Sequence, residues 1–69
     1  MTLTELRESV PMNIPELARA AGVDDMTIRN AENGQRINAR TARAIAEALS
    51  NALGRTIRVR DIDGLQVRL

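Results

Sequence analysis

Apolar positions recur at helical spacing along most of this chain. Leu3, Leu6 and Val10 share one face of residues 2–10, and Pro11 ends that helix by pushing the residue before it out of the α region. Asn13 is a good N-cap for a second helix, with Pro15 tolerated in its first turn, Glu16 near its positive end and Gly22 as its stop. Asp24 caps a third helix that carries Ile28 and Ala31 inward and ends near Asn33 and Gly34. Asn38 caps a fourth, from Ala39 to about Leu53, rich in strong helix formers. Its stripe is Ala42, Ile45, Ala46, Leu49 and Leu53, and Gly54 ends it.

The tail, residues 55–69, supports two readings. Ile57 and Val59 alternate with Arg58 and Arg60, and Val67 and Leu69 flank Arg68, which fits strands with Asp63-Gly64 as a turn. A short helical turn around Val59 to Leu65, with only the end extended, fits slightly better.

Residues 14–34 hold the most demanding pattern. Leu17 and Ala21 face inward on the second helix, and Ala18 is small where the third must cross closely. Gly22 permits a turn that residues with a Cβ resist, Val23 plugs it, and Ile28 and Ala31 form the inward face beyond. The small residue and the glycine at this offset fit a helix-turn-helix. A hairpin used only for packing needs the apolar positions but not that offset.

Composition removes most other functions. With 69 residues the chain is expected to form one domain, residues 1–69, burying only about 60 % of its unfolded surface. It has no Cys and no His, so disulfides and the usual zinc ligand sets are excluded and no metal site is expected. All 10 basic residues are Arg, and Tyr is absent, which leaves Ser and Thr hydroxyls with no imidazole or amine to activate them. No enzyme activity, catalytic residue, cofactor or small-molecule substrate is expected. No apolar run reaches signal-peptide length or the ~20 residues of a membrane span, so a cytoplasmic protein without membrane contact is the expectation.

The net charge of +1 is unevenly placed. Residues 1–34 set Arg7, Arg19 and Arg29 against Glu5, Glu8, Glu16, Asp24, Asp25 and Glu32, a net −3. Residues 35–69 set seven Arg against Glu47, Asp61 and Asp63, a net +4. A basic half is compatible with nucleic acid and equally with a solvated surface.

The sequence resembles the Xre/Cro type of helix-turn-helix DNA-binding domain, found in phage repressors and small bacterial regulators. The resemblance runs through Leu6-Arg7-Glu8, Glu16-Leu17-Ala18, Gly22-Val23, Thr27-Ile28 and Glu32-Asn33-Gly34 to Ile45-Ala46 and Ala48-Leu49. It covers roughly residues 3–53. It implies an all-α domain of four to five helices, lambda-repressor-like, with a short extended C-terminal tail.

The resemblance also implies that the third helix, residues 25–32, enters the major groove of double-stranded DNA. Carried over position by position, the base contacts are Asp25, Met26, Arg29 and Asn30. Arg29 suits guanine O6 and N7, Asn30 suits adenine N6 and N7, and Met26 suits a thymine methyl. Thr27, Gln35, Arg36, Asn38 and Arg40 are the candidate phosphate contacts, with Arg43 a weaker one. Arg7 and Glu32 match a structural ion pair between the first and third helices. Family members commonly dimerise on half-sites ~34 Å apart. Leu53, Ile57, Val59, Leu65, Val67 and Leu69 are accordingly the candidate homodimer surface, the alternative being that they close the core.

Three positions depart from the family pattern. Ile14 stands where DNA-binding members often carry a phosphate-contacting Gln, and Asp24 and Asp25 stand where the third helix meets DNA. A transcriptional regulator, a repressor in its simplest form, is therefore the first reading. A protein-interaction module on the same fold, antitoxin-like or anti-activator, binding a protein partner instead of DNA, is the alternative.

Overall fold

The computed structural model describes residues 1–68. The chain forms α1 (Leu3–Ser9), α2 (Ile14–Ala21), α3 (Asp25–Glu32), β1 (Arg36–Asn38), α4 (Ala39–Leu53), a 3-10 turn (Val59–Asp61) and β2 (Gln66–Arg68). Local side-chain chemistry sets each helix start. Thr2 and Glu5, and again Asn13 and Glu16, form reciprocal capping boxes, while Asp24 and Asn38 accept from the backbone N–H of Thr27 and Thr41.

The ends of α2 and α3 share one device. Val23 N–H reaches Ala18 O at 2.9 Å and Gly22 N–H reaches Arg19 O at 3.2 Å. Gln35 N–H reaches Asn30 O at 2.9 Å and Gly34 N–H reaches Ala31 O at 3.2 Å. This nested pair of bonds needs a left-handed residue at its centre, and Gly22 (φ 72°) and Gly34 (φ 82°) supply it.

The core is wholly aliphatic. Leu17, Ile28, Ile45 and Leu49 are its largest fully buried side chains, joined by Leu3, Leu6, Ala18, Ala31, Ile37, Ala42, Ala46, Ala48, Ile57 and Ile62. Helix α2 packs against both α3 and α4, and Ala18 is buried at 2 % exposure, where a larger side chain would hold the helices apart.

Two features of the second half were not expected. Residues 36–38, for which the sequence predicts no strand, form β1, which pairs in parallel with β2 in the register Arg36–Gln66, Ile37–Val67, Asn38–Arg68. Parallel strands need a long crossover, and α4 with the tail provides it. The short helical turn favoured for the tail, with only its end extended, is present as a single 3-10 turn followed by β2, the Asp61 carboxylate accepting from Arg58 N–H at 3.0 Å. Finally, Ser50 Oγ accepts from Ile57 N–H at 2.8 Å, fastening the chain after α4 back onto the helix.

That fastening corrects one expectation. Ile57, a candidate dimer residue, is 6 % exposed and belongs to this chain's own core. The Ser50 bond and the burial of its side chain turn it inward. Leu53, Val59, Leu65 and Val67 are half-buried and pack on the same core. Leu69 lies outside the described residues.

Candidate nucleic-acid interface

Helix α3 divides cleanly into two faces. Ile28 (0 % exposed) and Ala31 (3 %) anchor it to the core. Asp25, Met26 and Arg29 are exposed on the outer side, with Thr27 and Asn30 half-buried at its edge. Met26 is 61 % exposed, an unusual state for a large apolar side chain. The four residues named as base contacts thus come from one short, rigid element.

An ion pair sets the attitude of this helix. Arg7 Nε lies 2.6 Å from Glu32 Oε2, and Arg7 also donates to Met12 O at 2.9 Å. Thr4 Oγ1 donates to Glu32 Oε1 at 3.0 Å. Both charged side chains are largely removed from solvent, at 14 % and 11 % exposure. The hydrogen bond to Glu32 raises the Arg7 pKa and outweighs the opposing effect of burial, so the guanidinium is charged at every ordinary pH. The structure therefore brings together the two residues singled out as a helix–helix bridge.

Asp24 has a local explanation. Its Oδ1 accepts from both the hydroxyl and the backbone N–H of Thr27, and these bonds, the hydroxyl's first, hold its carboxyl below the usual carboxylate range. The charge caps α3 and is engaged there. Thr27, a candidate phosphate contact, accordingly spends its hydroxyl proton on Asp24.

A depressed carboxylate pKa stabilises the fold above the unfolded value, and that contribution disappears as pH falls through the folded one. Asp24→Asn retains an amide cap, as Asn13 and Asn38 do here, but does not titrate. In urea unfolding curves across the acid range, the stability difference between wild type and Asp24→Asn should shrink as pH drops below the ordinary aspartate value of about 4. A pH-independent difference would rule this out.

The phosphate candidates do not form one uniform loop. Gln35 follows the turn at Gly34, Arg36 and Asn38 lie on the exposed side of β1, and Arg40 is exposed in the first turn of α4. Asn38 Oδ1 accepts from Thr41 N–H at 2.7 Å, leaving its amide N–H2 donors for another partner. Among the described residues Arg29, Arg36, Arg40 and Arg43 form no ion pair. Thr27, Asn30, Arg36, Ile37, Asn38, Thr41 and Arg68 line a cleft of about 190 Å³, with no carboxylate among these described lining residues. Arg68 in that cleft is a residue that sequence reasoning missed. Its alternation with Val67 and Leu69 was visible, but nothing local showed which strand it would pair with.

A core-anchored helix following a glycine turn, with an outer face of Met, Arg and Asn bordered by unpaired arginines, defines a helix-turn-helix domain. The family model described as helix-turn-helix matches residues 3–58. The chain belongs to this family, in its Xre/lambda Cro-like form, and is in general terms a DNA-binding helix-turn-helix domain. Comparison with curated proteins and comparison with solved structures each give no match. No described helix is long and apolar enough to cross a membrane.

Proposed function

We propose that this chain is a sequence-reading transcriptional regulator that binds double-stranded DNA, acting as a cytoplasmic homodimeric repressor. One observation carries the reading: α3 is locked from behind by Ile28, Ala31 and the Arg7–Glu32 pair while Met26 and Arg29 face outward with Asn30 half-buried at their edge. Arg29 reads guanine through its planar fork, Asn30 reads adenine, and Met26 covers a thymine methyl. Gln35, Arg36, Asn38 and Arg40 fix the register on the backbone, with Thr27 at the edge of the same surface. Asp25 is the remaining exposed first-turn residue and suits cytosine N4 as an acceptor. Dimerisation through the half-buried Leu53, Val59, Leu65 and Val67 belongs to the same proposal and would double the number of contacts.

The test is sequencing of fragmented genomic DNA recovered on the purified protein, with the Arg29→Ala/Asn30→Ala variant alongside. Wild type should enrich an inverted repeat with half-sites about one helical turn apart. Each lost bidentate contact should cost about 1–3 kcal/mol of discrimination, abolishing the enrichment in the double variant. No enrichment by a folded wild type would overturn the reading. It would favour the protein-interaction module instead, which the exposed Met26 beside Asp25, and Ile14 in place of a phosphate-contacting amide, would then serve.

A further inference from the structure

The short strand pair carries chemistry that the helix-turn-helix does not account for. The two strands show the same alternation, with Ile37 buried and Val67 half-buried while Arg36, Asn38, Gln66 and Arg68 are exposed. Register partners in a sheet lie on one face, so these four polar side chains share the outer side of the ribbon. Arg36 and Arg68 sit one diagonal step apart, about 8 Å from Cα to Cα for strands ~4.8 Å apart rising ~3.3 Å per residue. Two guanidinium groups converge easily over that span. Both line the cleft beside Thr27, Asn30 and Asn38, so the ribbon continues the outer surface of α3 without a break. With two arginines, the amides of Asn30 and Asn38 and no carboxylate among the described lining residues, this surface has the chemistry of an anion site, and its position selects the anion.

We propose that Arg68, brought in by β2, acts with Arg36 as a two-arginine grip on the DNA backbone beside the recognition helix. The tail then belongs to the DNA interface as well as to the closure of the core. This inference rests on the DNA-binding reading above and extends it to a residue thirty positions beyond the next phosphate-contacting strand. A backbone grip carries no base information, so Arg68 tightens binding to every sequence equally.

The experiment measures anisotropy of a labelled duplex of mixed sequence between about 50 and 200 mM salt, where phosphate contacts dominate. It compares wild type, Arg36→Ala, Arg68→Ala, Arg68→Lys and Arg55→Ala. Arg55 serves as the control for lost charge, since it follows α4 at the end of that helix away from β1, about 22 Å along its axis. Arg68→Ala and Arg36→Ala should each lower the slope of log K against log salt by about 0.9 and weaken binding about eightfold near 0.1 M. Arg68→Lys should keep the wild-type slope, which shows that β2 is still in place, and Arg55→Ala should leave the slope unchanged. If Arg68→Ala behaves as Arg55→Ala does while wild type binds, the grip is overturned and the DNA reading stands. If folded wild type shows no salt-dependent binding to any duplex, both fall together.

Discussion

Glu32→Ala is expected to remove about 3–5 kcal/mol of folding stability. The carboxylate is 11 % exposed, and its loss strands the Arg7 guanidinium, 14 % exposed, with only Met12 O as a partner. A domain of this length holds about 3–10 kcal/mol in all, so the variant should be at or beyond the edge of folding at 37 °C. Thermal unfolding followed by circular dichroism should show a Tm lower by well over 10 °C, at about 4–8 °C per kcal/mol. Replacing both partners with apolar residues, as in Arg7→Leu/Glu32→Leu, should recover much of the loss, because no buried charge is then left uncompensated. A single variant melting within a few degrees of wild type would show that the pair is solvated and does not set the attitude of α3. The pair's value to function lies in that attitude, since it joins α1 to the last turn of the helix that faces outward.

Ile28→Ala should cost about 2–5 kcal/mol, the usual range for removing most of a fully buried aliphatic side chain and leaving a cavity. Ile28 is 0 % exposed and is the main anchor between α3 and the core. Ile28→Val, which removes one methyl group, should cost only about 0.5–1.5 kcal/mol. Met26, two residues earlier on the same helix, makes the complementary control. Met26→Ala should change stability by no more than about 0.5 kcal/mol, because its side chain is mostly in solvent. Chemical denaturation of the three variants checks the order. Equal losses at Ile28 and Met26 would mean that α3 is not divided into an anchoring face and a free one.

The division of α3 was readable because it depends on neighbours a few residues apart. Asp24, Ile28 and Ala31 repeat at helical spacing, and the Asp24 carboxylate closes a bond to Thr27 three residues away. The same locality made the caps at Asn13 and Asn38 and the stops at Gly22 and Gly34 legible. Arg7 and Glu32, 25 residues apart, were found by resemblance to a family and not by local chemistry. Ile57 stayed undecided between core and dimer surface because a β-branched residue in an alternating tail looks the same whether it meets its own core or a partner. Ser50 decides the matter with one hydroxyl, and a serine near the end of a helix carries no signal of that role.

Sequence alone, through periodicity, capping side chains and two glycines, determined the four helices and the helix-turn-helix, because each needs contacts only within a turn or across a tight bend. Tertiary structure alone decided the β1–β2 pairing, the inward turn of Ile57 and the arrival of Arg68 beside Asn38. The strand pairing and the arrival of Arg68 join segments about thirty residues apart, while Ile57 is turned in by a hydroxyl seven residues back on α4. A ladder between two three-residue strands has too few side chains to announce its partner, and it forms only after α4 has carried one strand back to the other.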